Sequence, residues 1–375
     1  MLGGGWPRLS APSFFRRRND RCARNVPLRD RRGAPVLPAA PRLALNAAMP
    51  TLLPSLPALA LLFGCAALAP PTAAAQGASC AATARRPPSD GRVRAAVEEA
   101  QRQHRLFGGQ TIERNGGMFR VGYDEAEWDR PPGESTGTWQ RVAGFWQALS
   151  DAEPPRVRTS LGWVSRAEVD GGPAANTGNA SRAEVATREA LLRAAIVDTP
   201  WSAAFISFLM KTAGFSAGEF AFSDSHADYV QAAFAASQAE DGGRDSPDGW
   251  RACDVARTPP RVGDLLCATR ASSAGIASFD ALEAALAVRA PGEAFPMHCE
   301  LVVRADAGGD AKLDTIGGNV VQSVTLSRMT LNAKKVLGDA YIARTPSPAP
   351  CTGSALSCRE HLTRRPWVVL LQFRH

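Results

Sequence analysis

The sequence predicts an α+β fold in which helices come first and a small antiparallel sheet follows. Two observations carry this. From about residue 90 to 237 apolar positions recur at helical spacing; after residue 260 short apolar or alternating segments lie between turn residues. A third is negative: strands and helices do not alternate as in a parallel sheet, and no internal repeat is present.

The chain has 375 residues and a formal charge of +7. That charge is local. Residues 1–48 carry ten arginines and two acidic residues, and the remainder is close to neutral, with 33 basic and 34 acidic residues. No basic surface for nucleic acid is therefore implied. The Arg-rich start has no helical or strand period and reads as a disordered segment or as sequence upstream of the true start, Met49. From Met49, "MPTLLPSLPALALLFGCAALAPPTAAAQ" is apolar, uncharged and closed by small residues. It reads as a signal peptide over 49–75, with cleavage before Gln76 and an exported, periplasmic product. "LFGC" offers a lipoprotein alternative, in which Cys65 would anchor the protein to the membrane.

Residues 76–91 read as a linker, and 92–375 as one domain with a helical part (92–197) and a core (198–375). "DGRVRAAVEEAQRQHRLFG" predicts a helix with Asp90 near its start and Gly108 closing it. "GTWQRVAGFWQAL" predicts another, with Trp139, Val142, Phe145, Trp146 and Leu149 on a core-facing stripe. Residues 162–181 read as loop. Ser181 and Glu184 have capping-box spacing at the head of a helix running to Val197. In "DTPWSAAFISF" Thr199 is expected to cap a further helix, with Pro200 at its first position and Ser202 in its first turn. "SDSHADYVQAAFAAS" is helical and 238–250 a polar loop. "RVGDLLCATR", "MHCELVVRAD", the two halves of "KLDTIGGNVVQSVTL" about a Gly-Gly turn, "KVLGDAYIART" and "RPWVVLLQFR" supply β segments, with "SFDALEAALAVR" a helix between the first two.

Of eight cysteines, Cys22 and Cys65 fall in segments expected to be removed or lipidated. The other six allow several pairings and lack metal-site spacing; Cys351–Cys358 is the easiest local pair and Cys267–Cys299, on neighbouring strands, the second. Free buried cysteines are the alternative.

A helix-start hydroxyl, a strand histidine and a strand-edge amide form a nucleophile–base–orienter set: Ser202, His298 and Asn319. His298 and Cys299 point to opposite faces, with Glu300 and Val302 on the side of His298. His104, His361 and His375 read as solvated, and His226 as part of a partly buried helix face. "GFSAG" matches a nucleophile elbow at Ser216, but a helix rather than a strand precedes it. "HCE" lacks the cysteines of a zinc deaminase, and "DSHAD" spreads its acids around a helix, so no metal or cofactor is expected.

In order, "PWSAAFISFLMKTAG", "HADY", "RVGDLLC", "MHCELVV" and "IGGNVVQSV" resemble the bacterial proteins grouped as domain of unknown function 2272, over residues 92–375. That group is similar to NlpC-type and CHAP-type peptidoglycan amidases and endopeptidases. The resemblance implies a papain-like fold, with the nucleophile at Ser202 where cysteine is usual, the base at His298 and the orienting residue at Asn319. It gives Gly263 and Asp264 a structural role, and Met297 stands where glycine is usual. Two functions follow as expectations: an exported hydrolase of amide or ester bonds in cell-wall peptide, or a non-catalytic cleft that binds such a peptide or a partner protein. An α/β-hydrolase using Ser216 is the third.

Overall fold

The computed structural model describes residues 73–149, 156–159, 162–165, 181–290, 292–344 and 361–375. The chain divides at residue 66, and every described residue belongs to the second unit, Ala67–His375. The readings of residues 1–48 and most of 49–75, and the Cys351–Cys358 pair, lie outside the described residues.

The unit is mixed α+β. Seven helices are described: α1 (Ala73–Ala84), α2 (Gly91–Leu106), α3 (Thr138–Gln147), α4 (Arg182–Asp198), α5 (Ser202–Thr212), α6 (His226–Asp241) and α7 (Phe279–Ala287). An eight-stranded sheet has the order β2-β1-β9-β8-β7-β6-β10-β5. Its strands are β1 (Gln110–Ile112), β2 (Met118–Arg120), β5 (Trp250–Asp254), β6 (Leu265–Thr269), β7 (Met297–Ala305), β8 (Lys312–Val320), β9 (Ser323–Thr330) and β10 (Trp367–Phe373). All its pairs are antiparallel except β1–β9. A separate hairpin joins β3 (Arg156–Thr159) to β4 (Gly162–Ser165), the latter within a stretch read as loop.

The helix starts follow local chemistry. Asp90 Oδ1 accepts from the Arg92 N–H at 2.8 Å, and Gly108, at φ +78°, turns the chain away beyond the end of α2. Ser181 and Glu184 form the expected reciprocal box at α4. The α3 stripe is buried in the main core beside α5, whose Ala203, Ala204, Phe205, Ile206 and Leu209 are all inaccessible. Leu265, Leu301, Ile316 and Leu371 pack on this helical side of the sheet, while Leu266, Val302, Met329 and Leu370 form a second cluster on the opposite face. That alternation is the period of a strand covered on both sides.

Several boundaries move. Helix α1 begins in the last three residues of the segment read as signal peptide and runs through the first part of the segment read as a linker, and its Cys80 is bonded to Cys253 of β5. Cys267 and Cys299, directly opposite on β6 and β7, form the second disulfide. The expected Gly-Gly turn is absent: β8 runs through Gly317 and Gly318, and the chain reverses at Val321 and Gln322, both at positive φ. That is the two-residue hairpin geometry usually given to Asn-Gly. "KVLGDAYIART" supplies two isolated bridges, at Leu337 and Ile342, and a short 3₁₀ turn instead of a strand. Helix α6 runs on to Asp241 and β5 begins at Trp250, at the two ends of the stretch read as polar loop.

Gly263 and Asp264 are structural, as the resemblance implies. Gly263 has φ +93°, and a Cβ there would lie 2.0 Å from Val93 Cγ1. The buried Asp264 carboxylate accepts from the Arg261 N–H at 2.7 Å and pairs with its guanidinium at 3.1 Å.

Candidate functional site

The site forms where the start of α5 meets the sheet and the start of α6. Helix α5 begins at Ser202, two residues later than the Thr199–Pro200 pattern predicts. Trp201 is its N-cap without a side-chain bond, and the buried Thr199 hydroxyl has no hydrogen-bond partner among the described residues. The later start leaves Ser202 as the first helical residue, among backbone N–H groups with no partner inside the helix.

Ser202 Oγ lies 2.7 Å from His226 Nε2. His226 is the first residue of α6, and its Nδ1 contacts the Tyr229 hydroxyl one turn on. His298, the second residue of β7, packs edge-on against the His226 ring, with centroids 5.3 Å apart. Its Nε2 is 3.3 Å from Glu300 Oε1. Arg365 donates to the same oxygen at 2.8 Å, and Thr315 donates to Oε2 at 2.5 Å. Ser202, His226, His298 and Glu300 are 2, 4, 5 and 0% exposed.

Burial, with the nearby His298 and Arg270 charges, holds His226 well below the usual imidazole range. Burial likewise lowers His298 to about 4. Burial would raise Glu300, but Arg365, His298 and Thr315 outweigh it and bring the carboxyl down to about 2. At neutral pH the site thus holds two neutral imidazoles beside an ionised carboxylate. With Nε2–H of His298 donating to Glu300, its Nδ1 carries the free lone pair.

Asn319 reaches the site differently from its expected role. Oriented by its hydrogen bonds, its amide nitrogen donates to Glu125 Oε2 and its oxygen accepts from the Trp201 N–H, both at 3.2 Å. Trp201 Nε1 donates to the same Glu125 oxygen at 2.6 Å. Burial pushes Glu125 up to about 7. These bonds tie the start of α5 to β8, and among the described residues no hydrogen bond joins the Asn319 amide to an imidazole. It sits at φ +54° in a bulge between Gly317 and Val320. The bulge depends on glycine: a Cβ on Gly318 would lie 2.6 Å from Phe205 Cβ, and one on Gly317 would lie 2.7 Å from Glu300 Cγ. Gly318→Ala is expected to destabilise the protein by about 1–3 kcal/mol through overpacking, read from the urea midpoint.

Two clefts open on this cluster. One, of about 300 Å³, is lined by Ser202, His226, Asp228, Arg270 and Met297 among others. The other, of about 440 Å³, is lined by His298, Asn319, Arg270 and Arg365 among others. Arg270 belongs to both.

Ser216 is remote from this chemistry. Its hydroxyl donates to Glu219 Oε2 at 2.7 Å, and the preceding element is α5, closed by Gly214 at φ +91°. The strand that an elbow needs is absent there, which removes the basis for the Ser216 reading. Among the described residues no cluster of potential metal ligands is present.

A family model for an uncharacterized protein conserved in bacteria, domain of unknown function 2272, matches residues 133–373. The chain belongs to this family. No curated protein and no solved structure matches the chain.

Within this member of domain of unknown function 2272, the matched segment holds Ser202, His226, His298, Glu300 and Asn319, and leaves out Glu125. Sequence reasoning placed Ser202, His298 and Asn319 in one neighbourhood, and all three line these clefts. It missed His226 as the serine's partner. The signal was present, since "HADY" is one of the ordered motifs, but a histidine one turn before a tyrosine on a helix reads equally well as core. Glu125, in an irregular segment 77 residues before Ser202, gave no sequence signal.

Proposed function

We propose that this protein is an exported hydrolase of papain-like architecture that cleaves amide or ester bonds of cell-wall peptides, with Ser202 as nucleophile. The observation that carries the reading is the 2.7 Å contact of Ser202 Oγ with His226 Nε2 at the start of α5. His226 is the base in direct contact. Neutral at neutral pH, it takes the serine proton through Nε2 as Oγ attacks the carbonyl, while its Nδ1–H donates to Tyr229. The first-turn N–H groups of α5 face the developing oxyanion. The imidazolium returns its proton to the leaving group, and water releases the acyl group by the same route. The ionised Glu300, one ring away behind His298, favours the transient positive charge.

Helices followed by an antiparallel sheet, with a helix-start nucleophile beside a strand histidine, support the papain-like assignment. Two disulfides and the apolar segment 49–75 support export. Cleavage before Gln76 would leave Cys80 and its partner in the mature protein, and lipidation at Cys65 would be the only attachment to a membrane.

A second reading has its own observation. Ser202 is only 2% exposed, which suits a cleft that binds cell-wall peptide, or a partner protein, without cleaving it. The test is covalent labelling by a serine-directed fluorophosphonate, together with release of fragments from purified peptidoglycan. Wild type is expected to show both, Ser202→Ala neither, and Ser216→Ala both. Tight binding of wall fragments with neither labelling nor release would overturn the hydrolase in favour of the binding cleft.

A further inference from the structure

Arg270 stands at the junction of the two clefts, immediately after β6. Its backbone is fixed: the N–H donates to Pro296 O at 3.1 Å, and Ser273 Oγ donates to its carbonyl at 2.8 Å. Its guanidinium has no hydrogen bond or ion pair among the described residues. Of the arginines nearby, Arg365 holds Glu300 and Arg289 holds Asp228, whereas Arg364 lines the cleft without an ion pair among the described residues.

The 440 Å³ cleft beyond Arg270 is one-sided in charge. Arg270, Arg364 and Arg365 line it, and among the described residues no carboxylate does; Glu300 lies behind it, fully buried and bonded to Arg365. Val321, half exposed at the tip of the β8–β9 hairpin, adds an apolar wall. Three lining residues, Ala271, Asn319 and Val321, hold positive φ without being glycine. Such conformations are strained and persist where the surroundings over-determine them, often at ligand sites. The cleft is thus cationic and partly apolar; it reaches His298 and, through Arg270, borders the cleft that holds Ser202 and His226.

We propose that this cleft is a carboxylate-recognising subsite, in which Arg270 holds a free carboxylate of a peptide-like substrate beside the bond presented to Ser202. The planar guanidinium fork fits a carboxylate through two parallel hydrogen bonds, which a lysine could not reproduce. The subsite rests on the hydrolase reading for its place beside a scissile bond, but carboxylate binding itself needs no turnover. The preferred substrate is a short peptide carrying an unamidated carboxylate next to a small apolar side chain.

The test uses Ser202→Ala, so that nothing is consumed, with N-acetyl-alanyl-alanine, its C-terminal amide and inorganic phosphate as probes in calorimetric titration. The carboxylate peptide is expected to bind about tenfold or more tighter than the amide, the difference that one charge-assisted pair supplies. Adding Arg270→Gln should remove the preference, Arg270→Lys should restore only part of it, and both should melt with the parent because the side chain has no partner to lose. Equal binding of peptide and amide, a preference that survives Arg270→Gln, or Arg270-dependent binding of phosphate without the carboxylate peptide would overturn the subsite. Carboxylate preference without wild-type turnover would sink the hydrolase reading alone. Turnover without the preference would sink the subsite alone.

Discussion

His226→Ala is expected to lower turnover about 10²- to 10⁴-fold, the range for removing a positioned general base. His298→Ala leaves the Ser202–His226 contact in place and is expected to lose less. The reverse ranking would return the base role to His298. A readout independent of turnover comes from Ser202→Cys. Its thiol, at the head of α5 and beside His226, should alkylate rapidly at neutral pH, and adding His226→Ala should slow it towards an ordinary thiol. The pH profile carries the same argument. Because burial lowers both imidazoles, with His298 at about 4, kcat/KM should stay level from neutral pH to well below 6.5. The His298 contribution to stability should decline over that window, read as the difference in pH dependence between wild type and His298→Ala, because buried Glu125, at about 7, works the other way. Between about 6.5 and 4 the unfolded chain binds protons that folded His298 refuses, so each step down in pH favours unfolding. An acid limb centred at the ordinary imidazole value would contradict the buried neutral pair.

Replacing both Cys80 and Cys253 with alanine is expected to cost about 5 kcal/mol in the chain-entropy account, since the bond spans 173 residues. The Cys267–Cys299 bond spans 32, and its removal should cost about 4 kcal/mol on the same account. Urea midpoints of the two double variants at neutral pH, without reductant, would show the order. An unchanged midpoint for the first pair would mean that α1 does not hold to the sheet through this bond. The second pair adjoins His298 directly, so its removal should also lower the labelling rate of Ser202, whereas removal of the first should leave that rate intact.

What could be read from the sequence divides along physical lines. The helices came through because their buried stripes are long and their caps chemically explicit, as at Asp90 and at the Ser181–Glu184 box. Strands β6, β7 and β10 were legible as apolar runs between turn residues. Strands β1, β2 and β5 were not: two are only three residues long, and β5 contains "RACD", whose Arg251 and Cys253 hide the period. The reversal at Val321–Gln322 was misplaced because Gly-Gly is the stronger turn signal, whereas those glycines serve close approach to Phe205 and Glu300. At the site, single chemical types survived the reading and pairings did not. Ser202, His298 and Asn319 were each found, but which imidazole meets the hydroxyl depends on where the start of α6 lies against the start of α5, and a linear pattern does not encode that.

The Glu125 clamp bears on how the protein is cut. A fragment trimmed to the matched family segment, residues 133–373, would discard the carboxylate that takes both the indole of Trp201 and the amide of Asn319. It would also remove β1, exposing the ladder groups of β9 as an open edge, and would strand Cys253 without Cys80. The unit of inheritance recognised by family comparison is thus smaller than the unit of folding. The excess, sixty described residues on the N-terminal side, covers the β9 edge and seats the helix that begins at Ser202.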